Sequence, residues 1–296
     1  EPDFYQFIGM KPTDFRFHHP LRVRWAEVDL QKIVFNPHYL TYYDCAMADY
    51  WRALALPYEA ALRRLQGDVF LRKTTVEFHA SALLDDRLDV ALRCDRVGNS
   101  SITFAGAIFR GEQLLNTAEL VYVFADPASQ SSRPVPAPLR ALFAAYEAGQ
   151  PVTEVRVGSW QQLAEPARAV RTAVFIEEQG IARDEEWDAL DADAVHAVVL
   201  NRLGMPVGTG RLLREPQAGT ARIGRMAVDR TLRGAGVGRQ VIEALQQAAA
   251  ERGDRRVVLS AQRSAEGFYR RLGYEPVGEP YEEVGIAHIG MQRALG

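Results

Sequence analysis

Only two cysteines, Cys45 and Cys94, occur in the 296 residues, and neither sits in a CxxC pair or a Cys/His cluster. A disulfide scaffold is excluded on that count, and a structural zinc site is not expected. Cys45, within an apolar helical stretch, reads as a small buried side chain rather than a nucleophile. No apolar run reaches the roughly 18–20 residues that a membrane-spanning helix requires. The opening residues Glu1-Pro2-Asp3-Phe4-Tyr5 lack the basic-then-apolar order of a signal peptide, so the cytoplasm is the expected compartment. A basic stripe is missing as well: the formal charge is −3, and the arginines, far more numerous than the lysines, are spread among acids. No nucleic-acid partner is expected from that distribution. His18, His19, His79 and His196 show no ligand spacing, and no Gly-x-Ser-x-Gly elbow supports a hydrolase triad. No metal is expected.

What is present is the balance of a folded chain, with 47% hydrophobic and 25% charged residues. At this length two domains of roughly 150 residues are the default. The clearest break runs from Asp126 to Pro138, where four prolines and three serines in thirteen residues resist both helix and ladder. A short helix, Leu139 to Glu147, precedes Gly149-Gln150-Pro151. The expected domains are therefore 1–149, with a core at 17–126 and a linker and helix at 127–149, and 150–296.

The first domain opens with the alternation Leu21-Arg22-Val23-Arg24-Trp25, which predicts a half-buried strand ending near an acid. Asn36-Pro37 then starts a helix, Asn as cap and Pro in the first turn. Leu40, Tyr43, Met47, Tyr50, Trp51 and Leu54 give that helix an apolar face, on which the aromatics read as core rather than as an acyl pocket. Strands near 70–80, 87–97, 100–111 and 113–125 follow, separated by Asp85-Asp86, Gly98-Asn99 and Gly111-Glu112. This is an antiparallel sheet around a single helix. The second domain predicts a helix at 160–179, a strand at 195–200, a hairpin at 206–213 and a strand at 221–228. A helix at 236–251, a strand at 256–261, a helix at 264–272 and a strand near 287–293 complete it. The fold class is α+β, with mixed α/β in the second half.

In the second half, Arg233-Gly234-Ala235-Gly236-Val237-Gly238 joins a strand to a helix. Glycines let backbone N–H groups curl round an anion, the helix N-terminus adds free donors, and Arg233 adds a positive charge. Alone, this is an anion-binding turn or merely a tight one; it has neither P-loop nor Rossmann spacing. One strand later comes Phe268-Tyr269-Arg270-Arg271-Leu272-Gly273-Tyr274. The ordered pair resembles the acetyl-CoA loop and the Phe-Tyr-x-x-Leu-Gly-Phe segment of GNAT acetyltransferases, over residues 152–296. Val174–Gln179 and Glu282–His288 are similar to the ElaA-like branch. The resemblance implies acetyl-CoA as cofactor, with Met226 and Val228 offering backbone groups to pantetheine. Residues 233–239, including Arg239, would bind the pyrophosphate. Tyr269 would protonate the departing thiolate, against the alternative of a packed core aromatic. Glu283, His288 or a water chain would take the proton of the acceptor amine.

In the first half, Asp29 precedes Ile33-Val34-Phe35 and the helix, beside donors that can polarise a thioester carbonyl. On spacing alone it is better explained as a turn cap. The segment Trp25–Tyr39 resembles the signature of the 4-hydroxybenzoyl-CoA thioesterase family, including its YbgC/FadM-type members, over residues 17–147. The resemblance implies the hotdog fold, acyl-CoA as substrate and Asp29 as nucleophile or general base. It also implies a carbonyl polarised by backbone N–H groups near Asp68 and Val69, and a homo-oligomer. Two departures are Lys32, where the family has glycine, and Asn36, where histidine is frequent. Lys32 would block the site or attract CoA phosphates. Three readings stay open: a bifunctional thioesterase and N-acetyltransferase, an acetyltransferase carrying a non-catalytic acyl-CoA-binding or dimerisation domain, and a thioesterase with a degenerate acetyltransferase half.

Overall fold

The computed structural model describes residues 9–296, so Glu1–Tyr5 lies outside the described residues. The chain divides into two compact units, separated in sequence between Val152 and Thr153.

The first unit contains β1 (Phe17–Arg22), α1 (Pro37–Ala53), α2 (Tyr58–Arg64), β2 (Asp68–Phe78), β3 (Arg87–Val97), β4 (Ser101–Arg110), β5 (Gln113–Ala125) and α3 (Ala137–Glu147). Its strands form one antiparallel five-stranded sheet in the order β1-β3-β4-β5-β2. This is the hotdog arrangement expected from the sequence. Helix α1 buries Tyr39, Tyr42, Tyr43, Ala46, Met47, Tyr50 and Trp51. Tyr43 lies over Gly106 and Tyr50 packs edge-on to Phe104. The other face of β4 is covered by Phe15 and Met10, which pack with Ala91, Ala107 and Phe109. Each fully buried apolar side chain contributes roughly 1.5–3 kcal/mol, so the sheet is held from both sides.

Several local expectations are corrected. Of the alternation at 21–25 only Leu21 and Arg22 lie in a strand: β1 ends at Arg22, and Trp25–Glu27 is a 3₁₀ turn, closed by Arg24 and Tyr42 on the buried Glu27. Asn36 is itself helical and makes no capping bond, whereas Pro37 occupies the first turn as expected. Leu40 and Cys45 are exposed, because they fall outside the arc that α1 turns to the sheet. Helix α2 was not anticipated.

The second unit contains β6 (Thr153–Ser159), α4 (Trp160–Arg171), a π-helical segment (Thr172–Glu178), α5 (Arg183–Glu186), β7 (Val195–Asn201), β8 (Pro206–Arg214) and β9 (Thr220–Val228). Next come α6 (Val237–Glu251), β10 (Arg256–Gln262), α7 (Glu266–Arg271), β11 (Glu275–Glu283) and β12 (Ile286–Ala294). The seven strands run β11-β12-β10-β9-β8-β7-β6. Every neighbour pair is antiparallel except β9 and β10, which α6 joins as a crossover. The stripe Val237, Val241, Ile242, Leu245 and Ala249 on α6 packs with Ile223, Leu259 and Met291 of the sheet. The expected hairpin at 206–213 is a single strand, β8, paired on both sides. Strands β6 and β11 were not anticipated. The helix expected at 160–179 is α-helical only to Arg171.

Candidate active sites

The parallel ladder between β9 and β10 is short. It pairs Thr220 with Arg256 through Ile223 with Leu259, although β9 continues to Val228 and β10 to Gln262. The two strands therefore part company and leave a split in the sheet. A bulge opens it on the β9 side: Thr209 faces Ala227 and Arg211 faces Gly224, with Arg225 forced to a φ of 51°. The Asp229 N–H bonds to Val207 O of β8, at 2.9 Å. Backbone groups alternate along a strand, so those of Met226 and Val228 point the other way, into the split.

The glycine loop stands at the end of β9. Gly234 and Gly236 have φ of 88° and 87°, which a residue with a side chain adopts only at a cost, and they fold the chain back into the first turn of α6. The N–H groups of Gly236, Val237, Gly238 and Arg239 find no hydrogen-bond partner among the described residues. They are the free donors of a helix N-terminus. A Cβ on Gly238 would lie 3.2 Å from the ring of Phe268 and 3.5 Å from Val228. The two sequence signatures thus meet in space. Arg233 does not stand free: it forms a two-pronged ion pair with Glu178, at 2.7 and 2.6 Å, and reaches Val228 O at 3.3 Å. Arg233 holds the Glu178 carboxyl below its ordinary range.

Tyr269 lies on α7, buried between Phe268 and Tyr274, and its hydroxyl makes no hydrogen bond among the described residues. Burial above all, and then Tyr274, push its phenol above the ordinary value of 10. His288 of β12 sits opposite Gln262, the last residue of β10, on the edge of that strand away from β9. Its Nδ1 is 2.7 Å from Ile286 O, and a carbonyl only accepts, so Nδ1 carries the proton and Nε2 is left to accept one. Glu283 is exposed at the end of the β11–β12 hairpin, beside the turn at Val284-Gly285.

A buried charge network escaped the sequence reading. Arg171, 1% exposed, bonds to Glu186 and, at 2.8 Å, to Asp191, while Arg211 bonds to Asp191 and Asp188. Trp187 stacks on Arg171, its ring 4.6 Å from the guanidinium. Burial raises the Glu186 carboxyl despite these partners, whereas Arg211 lowers that of Asp188. The network fastens residues 186–191 to α4 and β8.

In the first unit, Asp29 is half-buried in a tight turn rather than at a strand end. Its Oδ1 accepts from Gln31 N at 2.8 Å, and its N–H donates to Ile33 O at 2.9 Å. Val28 bridges Val34, and Ile33 bridges Leu83 just past the end of β2. Lys32 is exposed with a φ of 63°, which explains why glycine suits this position. Two residues upstream, Glu27 is a second carboxylate. Burial would raise it, but bonds from Arg24 and Tyr42 outweigh that and hold it below its ordinary range. Asp68 and Val69 stand at the opposite end of β2 from the Asp29 turn, roughly 30 Å away by strand rise. The Val69 N–H is engaged by the Asp68 carboxylate at 2.8 Å, which also accepts from Tyr58. One copy does not bring Asp29 and this pair together.

With this geometry in view, residues 31–116 match the thioesterase superfamily and residues 164–295 match the acetyltransferase (GNAT) domain. The first match begins past Asp29. The acyl-CoA thioester hydrolase YbgC of Escherichia coli O6:H1 is 31% identical over 135 residues, 45% of this chain and 98% of that protein. The uncharacterized N-acetyltransferase YjcF of Bacillus subtilis is 36% identical over 125 residues, 42% of this chain and 87% of that protein. The crystal structure of Escherichia coli ElaA is similar at 30% identity, covering 48% of this chain and 99% of that one, with a TM-score of 0.43. The chain thus belongs to two families at once, to the thioesterase superfamily through its first half and to the GNAT acetyltransferases through its second.

Proposed function

We propose that the chain is a bifunctional CoA-thioester enzyme. Its first half hydrolyses an acyl-CoA, and its second transfers acetyl from acetyl-CoA to an amine. The observation that carries the reading is the convergence, at one split in the sheet, of the free N–H groups of 236–239, the Met226 and Val228 backbone and the Phe268-Tyr269 segment. The donors at 236–239 suit a pyrophosphate, and the strand edge suits the amides of pantetheine. The amine nitrogen attacks the acetyl carbonyl carbon, the C–S bond breaks, and Tyr269 gives its proton to the leaving thiolate. Of the two candidate bases, His288 is better placed than Glu283, because its Nε2 is open and it pairs with the end of β10, the strand that borders the split, whereas Glu283 is exposed at a hairpin end.

In the first half, Asp29 attacks the thioester carbonyl or takes a proton from the water that does, and the CoA thiolate leaves. Backbone groups near Asp68 and Val69 reach such a carbonyl only from a second copy. Strand β2 supports that arrangement, since it is a sheet edge with Phe70, Leu71 and Phe78 exposed. Antiparallel pairing of two β2 edges sets the start of one beside the end of the other. The working unit in this reading is a homo-oligomer.

The test is a panel of acyl-CoAs offered to wild type and Asp29→Ala, with a panel of amines and acetyl-CoA offered to wild type, Tyr269→Phe and Gly236→Glu. Equal hydrolysis by wild type and Asp29→Ala removes Asp29 as catalyst. A second reading, in which the first half only binds acyl-CoA or dimerises, is favoured by Lys32: a long cation in a glycine-type conformation stands in the Asp29 turn. Acyl-CoA binding without turnover would decide for it.

A further inference from the structure

The split between β9 and β10 is spanned by two consecutive side chains. Glu178 reaches one arm, pairing with Arg233 of the loop that follows β9. Gln179 reaches the other, its Oε1 accepting from Gln262 Nε2 at 3.1 Å, at the end of β10. Both come from the end of the π-helical segment Thr172–Glu178, where the extra residue per turn shifts the register of side chains relative to α4.

The partner that Glu178 holds is the cation of the pyrophosphate loop. A carboxylate and a phosphate make the same demand on a guanidinium, two parallel N–H bonds in one plane, and they compete for the Nη1/Nη2 edge that Glu178 holds. Arg233 Nε also rests on Val228 O, a group facing the split. In the free protein the guanidinium is therefore spent on groups that a CoA thioester would displace.

We infer that Glu178 and Gln179 form a clasp across the mouth of the acetyl-CoA cleft, in which Glu178 competes with the CoA diphosphate for Arg233. Diphosphate binding takes Arg233 from Glu178, while Gln179 stays on Gln262 and keeps the segment against β10. When the product CoA leaves, Glu178 retakes the arginine. The clasp costs affinity for CoA and hastens its release. A ligand without phosphate at the loop, pantetheine itself, leaves the ion pair intact and gains nothing from its removal. The inference rests on the second half binding CoA as proposed above.

The experiment is calorimetry and stopped-flow release with CoA and with pantetheine, on the full chain and its Glu178→Gln variant. Removing an exposed ion pair of this kind should tighten CoA roughly two- to fivefold and slow its release by a similar factor, with pantetheine unchanged. Arg233→Gln should bind CoA more weakly, and adding Glu178→Gln to it should change nothing further. Unchanged or weaker CoA binding by Glu178→Gln, in a variant that unfolds at the wild-type temperature, overturns the clasp and makes the pair a strut. Equal tightening of pantetheine overturns it too. Absence of CoA binding by wild type and variant alike removes the acetyl-CoA reading of the domain itself, and the clasp with it.

Discussion

The two candidate sites differ in completeness. In the second unit one copy gathers the glycine loop, the strand edge and Phe268 at a single split, because α6 and β10 return the chain to the strand that it left. In the first unit the carboxylate and the expected carbonyl-polarising N–H groups stand at opposite ends of β2, so one copy does not bring them together. A crossover gathers distant segments of one chain, whereas an open sheet edge leaves the two ends of a strand apart.

The sharpest way to break this comparison is Asp29→Ala. Loss of a nucleophile or general base should reduce thioester hydrolysis by roughly 10²–10⁴-fold. Acetyl transfer should not change, and following both activities in the same preparation checks it. A parallel loss of both would mean that the two halves share one site.

Next in size is the buried charge network. Arg171→Met removes from inside the protein a cation that pairs with both Glu186 and Asp191, which should destabilise the second unit by roughly 3–5 kcal/mol. Calorimetric unfolding should show that transition moving down while thioester hydrolysis survives at lower temperature. An unchanged transition would show that Arg211 and Arg225 neutralise the acids between them.

Such partnerships are also what the sequence conceals. Glycine spacing at 233–238, the apolar stripe of α6 and the proline-rich break at 126–138 are local patterns, and backbone geometry follows from them directly. Arg171 with Glu186 and Arg233 with Glu178 join residues 15 and 55 positions apart, and ion pairs at such separations have no periodicity to read. The Arg24–Glu27 stretch misleads for a related reason. Its alternation suits a strand, but a buried carboxylate satisfied by Arg24 and Tyr42 makes a tight turn the better solution. The Asp29 motif was legible as a signature, but its distance from Asp68 and Val69 was not, because it depends on how β2 is placed in the sheet.

Tyr269→Phe is expected to have a smaller effect than the loss of Asp29. A thiol with a pKa of about 8.5 leaves without much help, so acetyl transfer should fall only about 10- to 100-fold. Stability should barely move, since the hydroxyl has no partner to lose among the described residues. With the phenol above 10, wild type should also show no basic limb from this residue below that pH. A limb near pH 8 that persists in the variant belongs to another group.

The smallest expected effect sharpens the comparison most, because it tests whether the first site is open. Lys32 adopts a φ of 63°, a conformation that costs a residue with a Cβ about 1 kcal/mol relative to glycine. Lys32→Gly should therefore stabilise the first unit slightly, visible as a higher unfolding midpoint. Its effect on hydrolysis separates the two meanings of the lysine. If the side chain attracts CoA phosphates, KM for acyl-CoA rises and kcat holds, because the cation sits outside the reacting atoms. If it obstructs the Asp29 turn, kcat rises and KM falls, and an incomplete half-site becomes a working one when two copies meet. A variant that binds acyl-CoA as before and still turns none over places the first unit among binding modules, and the second unit is then the chain's only catalyst.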